Sequence, residues 1–397
     1  MVKMLPRNNP HSLVKECLLI WLSAFFIGLP PPVSAAAPAQ RISGDYSGNC
    51  FNPVISPDGT RVAYEVNYFE RRIVELYIYD TRSKSTKQIR ARQAGSSILN
   101  KKFNISPGGR QVTYELAWSP TRPDLYVFAS TGQDENFELY LPAGGTLAPD
   151  PAADGMAAWS ADGERIAFTS ARSGDGDLYL IDINQTDQPP RQLTRWQDST
   201  EWYPAWHPSK QTLAFVRHHA RGGDNIYLLT DLQAPQTSLA ALTSWSSIQT
   251  RPSWSPDGTR IAFYSNHEEK ERYDLYVMDA KKGASPRLLL KGVILNERRG
   301  PTWTPDGNGL IIVRDDPEHF NPIRLLDVAN PKRSKVLETG TQNNSDTHLV
   351  VTADGTILLA FTAQGRIGDD VKTFRRVYIY HPDPSELSFD GTPSKAP

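Results

Sequence analysis

From residue 53 onward, apolar and polar positions alternate in runs of about five residues, as in Arg260-Ile261-Ala262-Phe263-Tyr264. Turn residues interrupt the runs every eight to twelve positions. Short alternating runs of this kind predict β-strands and exclude a helical bundle. The runs also recur in a fixed order. Segments such as PVISPDGTRVAYEV from Pro53, AWSADGERIAFTS from Ala158 and SWSPDGTRIAFYS from Ser253 share one grammar, and seven can be aligned. The residue opening the turn falls at Ser56, Ser106, Ser160, His207, Ser255, Thr304 and Thr352, in steps of 50, 54, 47, 48, 49 and 48.

Each unit predicts four short antiparallel strands. A Trp or aliphatic residue closes the first strand, and a Ser-Pro-Asp-Gly turn follows. Proline presets φ in that turn, and glycine accepts the left-handed conformation at its exit. The third strand is written as Leu178-Tyr179-Leu180-Ile181-Asp182 or Leu275-Tyr276-Val277-Met278-Asp279, and a weaker fourth as Arg191-Gln192-Leu193-Thr194. Four strands per repeat of about 48 residues define a propeller blade. The expected fold is therefore an all-β propeller of seven four-stranded antiparallel blades, or six if the irregular second repeat is degenerate. That repeat carries Ser106-Pro107-Gly108-Gly109, and Trp118-Ser119-Pro120 offers a competing turn. The propeller is expected over 53–390, and either 36–52 or 383–397 should close the ring. Residues 391–397 are expected to form a disordered tail. Trp159, Trp206, Trp254 and Trp303 hold equivalent positions and are expected to pack between blades. The turn acids Asp58, Asp162, Asp257, Asp306 and Asp354 should bond their own turn backbone.

The amino terminus reads differently. Lys3, Arg7 and Lys15 precede an uncharged run over 17–29, and Val33-Ser34-Ala35 has a signal-peptidase pattern. Residues 1–35 are read as a secretory signal cleaved after Ala35, and 36–52 as a short lead into the first blade. No later run approaches the length of a membrane span. Cleavage leaves Cys50 as the sole cysteine, a composition suited to the periplasm of a Gram-negative bacterium. The formal charge of −1 and pI of about 6.7 argue against nucleic acid as a partner.

The string Pro252-Ser253-Trp254-Ser255-Pro256-Asp257-Gly258, with Ile261-Ala262-Phe263 and Asp274 to Asp279 behind it, resembles the TolB-type β-propeller repeat over 53–382. The resemblance implies a periplasmic, TolB-like binding module that recognises an envelope protein or peptide. TolB's own α/β domain before the propeller has no counterpart here. Related propellers also accompany prolyl-oligopeptidase-like hydrolases, but no G-x-S-x-G pentapeptide is present. Others are oligogalacturonide lyases, which use a metal held by His and Gln.

Candidate chemistry is sparse. No H-E-x-x-H, C-x-x-C, Walker loop or G-x-G-x-x-G occurs, so no catalytic residue, metal ligand or cofactor is assigned. His207 and His381 are read as surface substitutions, and His218-His219 as part of a loop. The segments entering the first strands differ from blade to blade, and variable loops on a rigid scaffold carry function. Lys101, Arg251, Arg298, Arg299 and His348 could converge on a carboxylate, Trp202 and Tyr203 could stack on the ligand, and Glu201 lies in the same rim. A non-enzymatic peptide- or protein-binding propeller follows. The alternative is a carbohydrate-binding propeller or a lyase of acidic oligosaccharides.

Overall fold

A computed structural model describes residues 37–68, 70, 73–89, 116–131, 137–142, 146–150, 152–219, 222–232, 238–364 and 374–390. The expected secretory signal over 1–35, the tail over 391–397, the Ser106 turn and Lys101 lie outside the described residues.

Seven antiparallel sheets follow one another as blades. Blade 1 runs through Asn49–Ile55, Arg61–Tyr68, Ile73–Asp80 and Ser85–Ile89, each strand pairing with the next. Blades 3, 4 and 5 repeat that order from Asp154–Trp159, Ser199–Trp206 and Gln249–Trp254. In blade 6 the first strand is broken into Val293–Ile294 and Thr302–Trp303, both paired to Gly309–Arg314. Blade 7 takes Gln342–Val351, Ile357–Gln364 and Arg375–Tyr380 from the end of the chain. Its fourth strand is Gln40–Arg41 from the beginning, paired to Ile379 and Tyr378. The ring is thus closed by the N-terminal segment. Residues 383–390 instead form a capped turn whose backbone carbonyls at Ser385 and Ser388 accept from Lys335 Nζ of blade 6.

The second repeat corrects the sequence reading. Blade 2 is built on Leu116–Trp118, Tyr126–Thr131 and Phe137–Tyr140, so Trp118-Ser119 is the turn in use. Trp118 is then a fifth member of the tryptophan set, and the true steps around it are uneven.

The core lies between blades. One cluster joins Tyr264, Leu275 and Val277 of blade 5 to Leu310, Ile312 and Leu326 of blade 6. A hydrogen bond repeats across these seams. The indole Nε1 of Trp118, Trp159, Trp206, Trp254 and Trp303 donates to the carbonyl of Val54, Ala117, Ala158, Ala205 and Ser253, at 2.9–3.2 Å. The turns behave as expected. Ser56 Oγ accepts from Arg61 N–H, and Asp58 accepts from Thr60 N–H, a pattern repeated at Ser255 and Asp257. His207 is not a surface substitution. It is 3% exposed, and its Nδ1 accepts from the N–H groups of Ser209 and Lys210, doing the work of both Ser and Asp. It rests against Gly258 of the next blade, where a Cβ would sit 2.3 Å from its Nε2.

Among the described residues, no helix is long and apolar enough to cross a membrane.

Candidate functional site: the channel mouth

The first strands of the blades surround a central cavity of about 750 Å³. Its two ends differ. Pro57, Pro120, Pro208 and Pro256 of the turns stand at the ends of the first strands. Asn52, Met156, Tyr203, Arg251, Arg298 and Arg299 belong to the part where those strands enter.

The entry side owes its shape to a repeated irregularity. Asn52, Met156, Tyr203 and Arg251 each stand four positions before the turn residue, and each has φ between 50° and 54°. In each blade the pairing of the first strand shifts register around this residue. A β-bulge breaks the in–out alternation, and each of the four residues lines the channel. Left-handed backbone at a residue other than glycine costs about 1–3 kcal/mol, so its retention in four blades marks positions where side-chain placement matters. Blade 6 has Gly300 there, between the two halves of its strand, and Arg298 and Arg299 lie in that excursion.

The predicted rim residues separate on this scaffold. Tyr203, Arg251, Arg298, Arg299 and His348 share the channel cavity. Arg251 lies over the Tyr203 ring, 5.2 Å from its centroid, and its Nε and Nη2 donate to the Glu297 carbonyl at 3.2 and 2.9 Å. Arg298 is 23% exposed, with Nε 4.0 Å from a Glu65 carboxylate oxygen. Arg299 donates to the Pro53 carbonyl at 2.9 Å from both Nη atoms and also to Asn52 Oδ1. Burial pulls its guanidinium down to about 10, opposed by Asp346 and Glu65. It ties blade 6 to blade 1 while walling the channel. His348 has a structural task as well: its Nδ1 accepts from Ile55 N–H at 3.1 Å, across the seam where blade 1 has no tryptophan. Burial, with Arg299 nearby, holds this imidazole well below its ordinary range and therefore neutral.

Glu201 and Trp202 do not join that set. Trp202 stacks on His218, with ring centroids 5.0 Å apart and planes within 11°, and walls a neighbouring pocket. His218 and His219 end the strand Leu213–His219 and are not loop residues. Glu201 is fully buried, and its carboxylate accepts from the hydroxyls of Ser199 and Thr194, both at 2.9 Å. Its assignment to a partner-binding rim is therefore corrected: it belongs to a seam clasp of Asp177, Thr194 and Glu201. The next seam repeats the clasp with neutral groups, Asn225, Thr243 and Gln249.

This substitution between seams leads to a pH prediction. Burial is the largest influence on Glu201 and lifts its carboxyl to about 7, with Asp177 adding to the rise. A raised acid pKa means the folded state holds the proton more tightly than the unfolded chain does. The stability it contributes is complete below about pH 4.5 and is lost as pH rises through about 7. Glu201→Gln copies the neighbouring seam and should remove that loss. It should leave the protein about 2 kcal/mol more stable than the parent at pH 8 and unchanged near pH 4. Melting temperatures of the two proteins across that range check it; parallel curves would contradict the assignment. The turns act oppositely at lower pH, since the Ser255 hydroxyl holds Asp257 down at about 2.

Asn52 escaped the sequence reading. Its signal was the proline that follows it, one of four standing three positions before the turn residue: Pro53, Pro204, Pro252 and Pro301; blade 3 has Ala157 there, so Met156 carries no such mark. A recurring proline at one register position of a strand marks a bulge or edge.

The fold defines a closed seven-bladed propeller with a cation-lined channel mouth. Residues 158–369, more than half the chain, match the TolB beta propeller domain family, and the chain belongs to that family. Among solved structures, an oligogalacturonate lyase in complex with manganese is similar at 15% identity and a TM-score of 0.56, over 89% of this chain and 96% of that one. An oligogalacturonate lyase from Vibrio parahaemolyticus gives 12% and 0.53, over 88% and 94%. TolB from Acinetobacter baumannii gives 18% and 0.47, over 72% of this chain and 63% of that one, so the present chain spans less than two thirds of that protein. At these identities the likeness concerns the fold alone.

Proposed function

We propose that the protein is a non-enzymatic binding propeller of the periplasm that takes an acidic segment of an envelope protein or peptide at its channel mouth. The observation that carries this reading is the gathering of Arg251, Arg298 and Arg299 on one cavity beside Tyr203, with Glu65 and Asp346 as the nearby acids. Guanidinium groups bind carboxylates in a fixed fork geometry, and a partly water-excluded mouth strengthens such bonds. The periplasmic setting follows from the charged, apolar and small-residue order of 1–35.

The same cations suit the uronate carboxylates of an acidic oligosaccharide, the second reading. A lyase of the manganese-bound type would need a donor set. Among the described residues no three His, Cys, Asp or Glu side chains are grouped to hold a metal ion. The Nδ1 of His348 is already occupied by Ile55. Among the described residues lining the cavity His348 is the one histidine and there is no glutamine, so a His-and-Gln donor set is not assembled there.

The test pairs Arg251→Ala with Arg298→Ala. Both side chains are partly exposed, whereas Arg299 is tied into the blade 6–blade 1 contact and would confound binding with folding. The double variant should bind peptides carrying two adjacent aspartates at least about tenfold more weakly than the parent, and parental binding should weaken with salt. Equal affinity in the variant, or conversion of trigalacturonate by the parent, would overturn the proposal.

A further inference from the structure

On the side of the Ser-Pro-Asp-Gly turns, arginines tie one blade to the next. One kind opens the second strand. Arg61 Nη1 donates to the Pro123 carbonyl at 3.2 Å, and Arg260 Nη2 to the Gly307 carbonyl at 2.9 Å. The other kind opens the fourth strand. Arg287 Nη2 donates to the Val328 carbonyl at 2.6 Å, and Arg191 donates to that of Leu232. The seam between blades 5 and 6 has both kinds.

Blade 7 has neither. Leu358 stands three residues before Phe361, as Arg260 stands three before Phe263. It also faces the same glycine of the next blade. A Cβ added to Gly59 would sit 3.0 Å from Leu358 Cδ1, and one added to Gly307 would sit 3.5 Å from Arg260 Nη2. Gln40 replaces the second arginine, pairing with Ile379 as Arg287 pairs with Val277. A cleft of about 550 Å³ lies at this seam between blades 7 and 1. Its blade 1 wall includes Gly59 and Thr81, the counterparts of Gly307 and Val328. Among the described residues no arginine donates to either carbonyl, and that of Gly59 keeps one long bond, 3.3 Å from the Thr81 hydroxyl. Ile42, Tyr79, Leu358 and Ile379 make the floor apolar, each at most 7% exposed.

Acid is also present. Asp354 lines the cleft, and the Thr352 hydroxyl holds its carboxyl below the ordinary range, so it is ionised at neutral pH. A turn acid can serve a neighbouring blade, as Asp162 Oδ2 does in accepting from Gln211 Nε2 at 3.1 Å. Arg82 and Lys84 are exposed on the same rim.

We infer that this cleft is a docking site for a single arginine side chain of a partner polypeptide, which completes the seam as Arg260 and Arg287 complete the seam between blades 5 and 6. The guanidinium donates to the free carbonyls of blade 1 and meets Asp354, while its methylenes lie on Leu358 and Ile379. Arg82 and Lys84 repel a second cation, so the cleft selects an isolated arginine over a basic run. The site lies on the turn side, away from the channel mouth, and does not depend on what binds there.

N-acetylated, C-amidated pentapeptides of glycine with a central arginine or citrulline test this by calorimetry on the full chain. Citrulline keeps the shape of arginine and removes the charge. The arginine peptide should bind with a Kd below about 1 mM, and the citrulline peptide at least about tenfold more weakly. Three consecutive arginines should bind no more tightly than one. Gln40→Arg supplies the missing side chain from within, at an exposed position. It should weaken the arginine peptide at least about tenfold without lowering the melting temperature. Asp354→Asn, also on the surface, should weaken it as well. No binding by the arginine peptide, equal affinity for citrulline, tighter binding of the triple arginine, or undiminished binding in Gln40→Arg or Asp354→Asn would overturn the inference and leave the mouth reading standing.

Discussion

Trp303→Ala should destabilise the protein by about 3–5 kcal/mol, the range for deleting a buried aromatic side chain from a packed seam. Trp303 is 8% exposed and packs with Val293, Leu310 and Leu326 in the blade 5–blade 6 core. Arg260 lies over its ring, 5.2 Å from the centroid. Its Nε1 also donates to the Ser253 carbonyl of the preceding blade, so truncation leaves both a cavity and an acceptor without its donor. Trp303→Phe retains most of the packing and should cost about 1–2 kcal/mol, the share of the hydrogen bond and its buried acceptor. Denaturant midpoints of the two variants separate these contributions. The indole also borders the channel, which makes the experiment informative about function. A Trp303→Ala protein as stable as the parent but weak in peptide binding would reassign the tryptophans from seams to ligand.

The second large effect concerns ring closure. A chain beginning at residue 47 should be about 5 kcal/mol less stable than one beginning at residue 37, with a melting temperature about 10 °C lower. The shorter chain lacks Gln40–Arg41, the fourth strand of blade 7. It also lacks Ile42, 7% exposed in the core shared by blades 7 and 1, and Ser43, whose Oγ accepts from Val377 N–H. Tyr46 is lost as well. Its hydroxyl lies 3.0 Å from that of Tyr64, and its carbonyl accepts from Arg376 Nη2 at 2.8 Å. Apart from the Tyr46–Tyr64 pair, these contacts join the end of the chain to its beginning, and in a ring every blade depends on its neighbours being held. Equal melting temperatures would mean that the seven blades hold together without this clasp.

Closure was partly legible. Gln40-Arg41-Ile42-Ser43 has the pattern of Arg191-Gln192-Leu193-Thr194, and the structure gives both hydroxyls the same task. Thr194 Oγ1 accepts from Leu178 N–H as Ser43 Oγ does from Val377 N–H. Read only as a lead segment, 36–52 left the choice between the two chain ends open. The second repeat misled for the opposite reason. Ser106-Pro107-Gly108-Gly109 and Trp118-Ser119-Pro120 are both adequate local turns, and turn chemistry alone does not say which strand finds a seam. Trp118 does, because its indole reaches Val54 in blade 1.

The candidate site divides along the same line. Arg251, Arg298, Arg299, Tyr203 and His348 were singled out because they enter first strands, and they do share one cavity. Glu201 was singled out on the same ground and is buried in a clasp, one residue from Trp202 and two from Tyr203. Residue type and register could not separate these three, because the bulge at Tyr203 overrides the two-residue alternation on which facing is judged. Asn52 was passed over as an unremarkable residue, although the same bulge sets it in the channel wall.

The sequence by itself determined the architecture. Alternation, turn residues and a period near 48 are local properties, and repeated seven times they admit one solution, blades in a ring. Only the tertiary structure decided how that ring shuts, which turn opens blade 2, and which entering side chains reach the channel. Those outcomes depend on contacts between residues tens to hundreds of positions apart, such as Ile55 with His348 and Arg299 with Pro53. Nothing in the local pattern encodes them, because each is settled by which blade becomes the neighbour.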